Sequence, residues 1–249
     1  MSDDNLSEFA DAALYEAENR WDAADDFYLS LAKAGGAPAL DLACGTGRLA
    51  VAMAEAGLDP WGLDLAAGML GFAAARPGGQ RVVWRVADMR DFALPHPFRF
   101  AVMTGHAWQM LLRDADMAAC LAVVARHLEP GGRFAFETRN PAANDFGRDQ
   151  PMTFWRAFAA PDGRRVETWY ASRWQGPLEH IAVERRWADG SRRMPSAITL
   201  RYTTAEELDR LLAAAGFAVE MRHGAFPPAR YDAATSPEIV TVARKTQPT

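Results

Sequence analysis

The 249-residue chain has only two cysteines, Cys44 and Cys120, too few for a disulfide framework, and this predicts a reducing, cytoplasmic location. Long hydrophobic runs are missing too. No stretch approaches the ~18 to 20 uninterrupted apolar residues of a membrane span, so no membrane partner is expected. The acidic segment from Met1 to Ala10 lacks the basic-then-apolar order of a secretory signal. An excess of positive charge is also absent. The net charge of −5 disfavours nucleic acid as a partner, although the arginines cluster between Arg164 and Arg201. Repeats and low-complexity tracts are not evident. What remains, 49% hydrophobic and 24% charged residues, suits a large α/β domain carrying an insertion.

The most informative stretch is Ala39 to Ala50, ALDLACGTGRLA. A short apolar run ends in Cys44, Gly45, Thr46 and Gly47, and small apolar residues then recur at helical spacing, so the stretch reads as strand, glycine turn and helix. Glycines let the backbone turn tightly and let a ligand approach the main chain, while unpaired N–H groups open the following helix. Gly45, Gly47 and Ala50 also satisfy the loose G-x-G-x-x-G/A dinucleotide pattern. Against a pyrophosphate stands Asp41: a carboxylate inside the strand suits a cationic ligand rather than an anion. A second predicted strand, Pro60 to Asp64, ends in an acid at the interval at which a carboxylate accepts from ribose hydroxyls. A third, Arg81 to Ala87 with Val82, Trp84 and Val86 on one face, ends in Asp88 and Met89. Alone, each acid reads equally well as a helix N-cap or a surface turn. Three in succession at strand ends form the most specific constellation in the chain.

These residues resemble the class I S-adenosylmethionine-dependent methyltransferases, small-molecule type. Their first motif is an acid, two or three small or apolar residues, then G-x-G, as in Asp41 to Gly47. LAAGML, Leu65 to Leu70, resembles the family's next run with Ala66 in place of a frequent serine, and LEPGG, Leu128 to Gly132, resembles the turn before its fifth strand. The resemblance implies S-adenosylmethionine as cofactor, held by Asp41, Ala43, Gly45, Gly47, Asp64 and Leu65, with Asp88 and Met89 on the adenine. It implies an N-terminal helix covering the methionine end, for which Tyr15 and Arg20 are the matching positions. It also places the end of the fourth strand, Phe98 to Thr104, against the sulfonium. His106 is therefore the leading candidate base, and Glu137, at the end of the fifth strand, Arg133 to Glu137, is the second. A structural histidine is the bland alternative. His180 and His223 are outside candidates; His96 and His127 read as loop and helix-surface residues.

From Pro151 to Arg201 period-two segments separated by Asp162-Gly163, Gln175-Gly176 and Asp189-Gly190 predict an antiparallel meander. Its tryptophans read equally as packing residues or as a substrate wall. Thr204 and Glu207 predict a capping box opening the last helix, and Phe217 to Arg222 and Glu238 to Arg244 two final strands. The expected fold is α/β: a doubly wound, seven-stranded Rossmann-like methyltransferase sheet, mostly parallel with its last strand antiparallel, plus the inserted meander. Expected units are a helical cap over 1–35, a cofactor domain over 36–140 and 203–249, and an inserted lid or substrate subdomain over 141–202. The expected activity is methyl transfer to an N or O nucleophile of a small-molecule acceptor, with no metal. The competing readings are an RNA methyltransferase, a cofactor-binding protein without transfer activity, and an NAD-dependent oxidoreductase. Acceptor identity, N- versus O-methylation and oligomeric state are not encoded legibly.

Overall fold

The computed structural model describes residues 3–143 and 146–246. A 3-10 turn (Asp3–Phe9) precedes α1 (Ala12–Glu18) and α2 (Ala23–Gly35). Strands and helices then alternate: β1 (Ala39–Leu42), α3 (Arg48–Glu55), β2 (Pro60–Asp64), α4 (Ala67–Ala75), β3 (Val83–Val86), β4 (Phe98–Met103), α5 (Asp114–His127) and β5 (Leu128–Arg139). Next come β6 (Gln150–Ala159), β7 (Arg165–Gln175), β8 (Leu178–Trp187) and β9 (Arg193–Arg201), then α6 (Ala205–Ala214), β10 (Phe217–His223) and β11 (Glu238–Lys245).

The main sheet has seven strands in the order β10-β11-β5-β4-β1-β2-β3. Its neighbours are parallel except around β11, which pairs antiparallel with both β5 and β10. The period of two along each strand divides its side chains between two cores. Leu40, Leu42, Met103, Phe134 and Phe136 face α5 and α6, whereas Ala39, Phe100, Val102 and Ala135 face α2 and α3. Asp41 and Glu137 fall, by the same alternation, on the α2/α3 side of the sheet.

A separate four-stranded antiparallel sheet, β6-β7-β8-β9, is built from the meander. The three glycines of its predicted turns, Gly163, Gly176 and Gly190, all have positive φ. The two sheets are tied together by the N-terminal segment. Leu14 packs with Val166 and Trp187 of the meander. Asn5 exchanges two hydrogen bonds with the backbone of Thr199, and Ser7 two with Ala197, so side chains cover the open edge of β9.

Several expectations need correction. β3 is shorter than Arg81 to Ala87 and, as an edge strand, leaves Val86 60% exposed. β5 begins at Leu128 rather than Arg133, because LEPGG enters the sheet as a bulge: β4 pairs through Phe98 with Leu128 and then through Phe100 with Arg133. Thr204 does cap α6 by accepting from the Glu207 N–H, but the Glu207 carboxylate bonds Arg201 instead of closing the box. His127 is buried, not on a helix surface; its ring bonds the Val123 carbonyl and the Leu94 N–H.

Gly47 (φ 74°) caps α3 and is buried beneath Trp84. A Cβ there would run into the indole and lie 2.8 Å from Ala73 Cβ. Gly47→Ala is therefore expected to destabilise the fold by about 2–4 kcal/mol through overpacking and left-handed strain. Urea unfolding checks this. Adding Trp84→Ala should recover part of the loss, whereas strictly additive losses would remove the indole as its cause.

Candidate functional site

A cleft opens along the carboxyl ends of β1, β2, β3 and β4, where a parallel sheet with crossover helices leaves a crevice. Its wall includes Ala43 and Gly45 after β1, Asp64 and Leu65 after β2, and Asp88 and Met89 after β3. Thr104, Gly105 and Ala107 follow from β4, while Leu6, Phe9 and Tyr15 close it from the N-terminal segment.

Tyr15 forms the roof. A Cβ on Gly45 would lie 3.9 Å from its ring, and one on Gly105 would lie 4.0 Å from its hydroxyl, so the ring spans the gap between the β1 and β4 ends. Burial raises the Tyr15 phenol above its ordinary value and keeps it neutral. Glu16, next along α1, accepts from the Thr46 hydroxyl and pairs with Arg76 at 2.8 Å, fastening the roof to the glycine turn.

Asp64 accepts from the Gly45 N–H and the Ala66 N–H, each at 2.8 Å, one on each carboxylate oxygen. Burial nevertheless holds its carboxyl above the usual range. Asp88 is instead clamped by Arg90, whose Nε lies 2.9 Å from Oδ1 and whose Nη2 lies 2.5 Å from Oδ2, and this hydrogen bonding lowers its pKa. Two acids at adjacent strand ends thus differ in character, one desolvated and one paired.

Asp41 lies under the turn rather than on the cleft wall. It is 1% exposed, with the Ala50 N–H and Arg48 near it and Oδ1 without a partner. Burial first, then the charges of Asp64 and Asp25, push its pKa up to about 8. Arg20 is exposed and does not line the cleft; α1 turns Tyr15 inward and ends before it. Gly47 is likewise absent from the wall, its freedom being used against Trp84.

His106 occupies the left-handed region (φ 59°), as Ala43 does (φ 53°), and these two non-glycine outliers flank the cleft. The His106 side chain is not on the cleft wall; its imidazole turns toward β11, placing Nε2 3.0 Å from Glu238. Glu137 is buried, accepting from the His106 N–H at 2.9 Å and from the Tyr28 hydroxyl at 2.5 Å. Both of its oxygens are engaged and burial raises its pKa, so it holds the backbone of His106 and has no free edge toward the cleft. His180 is exposed on the meander and His223 packs on Phe27; neither lines the cleft.

Sequence reasoning missed Leu6, Phe9, Met110 and Glu238. No period marks the first two, and Glu238 is brought to His106 only by the reversal of β11.

The cleft's features fit an adenosyl ligand with a cationic end. Two glycines with positive φ, Gly45 and Gly105, leave under Tyr15 a space that side chains would fill, carboxylates stand at two strand ends, and an unpartnered buried carboxylate oxygen lies beneath the turn.

Residues 39–132 match a family described as "Methyltransferase domain". The ubiquinone biosynthesis O-methyltransferase of Thiobacillus denitrificans is 35% identical over 113 residues, covering 45% of this chain and 48% of that protein. The chain spans about half the length of the curated relatives it matches. Among solved structures, the SAM-bound amino pentose methyltransferase CalS10 from Micromonospora echinaspora is 25% identical, with a TM-score of 0.71 over 92% of each chain. The CcbJ methyltransferase from Streptomyces caelestis is 24% identical, with a TM-score of 0.77 over 98% of this chain and 97% of its own, a likeness of fold.

Proposed function

We propose that the chain, whose residues 39–132 match the methyltransferase-domain family, is a class I S-adenosylmethionine-dependent methyltransferase that transfers the methyl group of that cofactor to a nitrogen or oxygen nucleophile of a small-molecule acceptor. The observation that carries this reading is the gathering of Asp64, Asp88 and the glycine turn on one cleft roofed by Tyr15. When bound, the cofactor supplies a sulfonium methyl already activated for transfer. The protein is left to align the acceptor, exclude water and take up a proton where the nucleophile loses one.

In this reading Asp64 receives ribose hydroxyls on the lone pairs left over from Gly45 and Ala66, and its backbone bonds hold it ready. Asp88 and Met89 meet the adenine, with Arg90 keeping the Asp88 carboxylate ionised as an acceptor. Tyr15 shields the transfer point from water. Asp41 acts through the turn, becoming a buried counter-charge when it ionises, and not by contact. His106, with Glu238 on Nε2, is the candidate base, and Glu137 is a positioning residue that fixes its backbone. The cap is narrower than the expected 1–35, because α2 packs on the main sheet beside α3; the cofactor domain over 36–140 and 203–249 and the lid over 141–202 complete the division of labour.

The names of the relatives supply an O-methyltransferase and an amino pentose methyltransferase, hence hydroxyl and amine acceptors for this chain. Among the described residues no helix is long and apolar enough to cross a membrane. A cytoplasmic setting is our reading of two free cysteines, Cys44 and Cys120.

Calorimetric titration with S-adenosylmethionine, S-adenosylhomocysteine and NAD tests the assignment. Both adenosyl ligands are expected to bind, NAD is not, and Asp64→Ala should weaken S-adenosylhomocysteine by at least about tenfold through loss of charge-assisted hydrogen bonds. Heat from NAD alone would return the glycine turn to an oxidoreductase.

A further inference from the structure

We propose that Arg139, at the end of β5, is the recognition point for a carboxylate carried by the acceptor; this rests on the transfer reading above. Arg139 is half-buried, yet no carboxylate of the described residues lies within ion-pair distance of it. Every other buried or half-buried arginine among the described residues has one within 4.0 Å. Removing a guanidinium partly from water without an opposite charge is costly, which makes the exception informative.

Its surroundings withhold a counter-ion. Glu238 stands directly across the ladder from Arg139, but its carboxylate is taken by His106. Glu179 accepts from the Tyr202 hydroxyl at 3.0 Å. The one fixed partner of the guanidinium is neutral: Gln109 Oε1 accepts from Nη1 at 3.1 Å and from the Arg139 backbone N–H at 3.4 Å. Gln109 is fully buried, so this contact fixes the fork. Nε and Nη2, the side-on edge, make no hydrogen bond to the described residues and are not among the buried atoms without a partner. That edge presents two parallel N–H groups, the geometry that a planar carboxylate accepts in bidentate fashion.

The position suits an acceptor. The turn from Ala107 to Met110 gives Ala107 and Met110 to the cleft wall and Gln109 to Arg139, so a single turn separates the transfer point from the guanidinium. On the lid side stand Tyr202 and Trp174, ring centroids 4.8 Å apart, with Phe146 against both. An acceptor with an apolar body, a nucleophile at one end and a carboxylate at the other matches these three features.

Benzoate and its neutral isostere benzamide are the probes. Each is titrated into full-length protein, with and without saturating S-adenosylhomocysteine, while the Arg139 Nε–H resonance is followed by NMR. The expected result is a saturable shift with benzoate at concentrations on the order of millimolar, as for a fragment, and none with benzamide. Arg139→Gln should weaken benzoate by at least about tenfold while S-adenosylhomocysteine binding persists, and Arg139→Lys should recover only part, having charge without the fork. Equal responses to benzoate and benzamide, no response to benzoate, or unchanged benzoate affinity in a folded Arg139→Gln would each overturn the proposal. Failure of S-adenosylhomocysteine to bind is read separately and strikes the transfer reading instead.

Discussion

Glu18→Ala is expected to destabilise the protein by about 3–5 kcal/mol, the range for removing one member of a buried ion cluster. Glu18 ends α1 with a fully buried side chain that accepts from Arg185 Nε at 2.6 Å, Arg156 Nε at 3.1 Å and the Thr168 hydroxyl at 2.6 Å. Arg185 is 3% exposed and would be left with one carboxylate, Glu8, and the Ser196 hydroxyl. The damage is dominated by that stranded guanidinium, so Glu18→Gln, which retains acceptor oxygen and volume, should lose distinctly less. Urea unfolding ranks the variants. Because Tyr15 lies one helical turn before Glu18, Glu18→Ala should also weaken S-adenosylhomocysteine. A variant with wild-type stability would show that α1 is held by its apolar contacts instead.

The second large effect concerns pH. With Asp41 raised to about 8 in the fold and an ordinary value near 4 when unfolded, the native state holds one more proton than the unfolded state between those limits. Stability then falls as pH rises, by about 1.4 kcal/mol per pH unit for this group, and is flat outside that window. Asp41→Asn mimics the protonated form and removes the slope. It should match wild type near pH 4 and exceed it by several kcal/mol near pH 8, a difference that denaturant unfolding at both pH values resolves. Above pH 8, where wild-type Asp41 is ionised, the same variant should bind S-adenosylmethionine more weakly, since the buried negative charge is lost. Parallel stability curves for the two proteins would mean that Asp41 does not titrate in this window.

Local signals carried the central part of the fold. Pro60 and Asp64 bound β2, Asp114 opens α5, and Gly57 and Gly216 follow α3 and α6, each with positive φ. Such boundaries rest on backbone chemistry within a few residues, which a sequence displays openly. Side-chain orientation is another matter. Asp41 reads as a ligand residue because it sits in the motif, but the strand's alternation sends it beneath α3. Arg20 reads as a cap residue from the family resemblance, and only the end of α1 at Glu18 shows that it lies exposed and off the cleft wall. Glu18 is invisible in sequence because its partners, Arg156, Thr168 and Arg185, belong to a sheet built far along the chain.

The place of β11 also orders events in time. This strand inserts between β5 and β10, although it is the last to be synthesised of all the strands. While a ribosome still holds residues 238–245, β5 has an unpaired edge and β10 has no neighbour in the sheet. Glu238, the partner of His106, arrives with that closing strand. The glycine turn and the ends of β1 to β3 thus precede Glu238 in synthesis, and the His106 pair can form only once β11 has emerged. The residues of the cleft wall are therefore all translated before the strand that gives His106 its carboxylate partner.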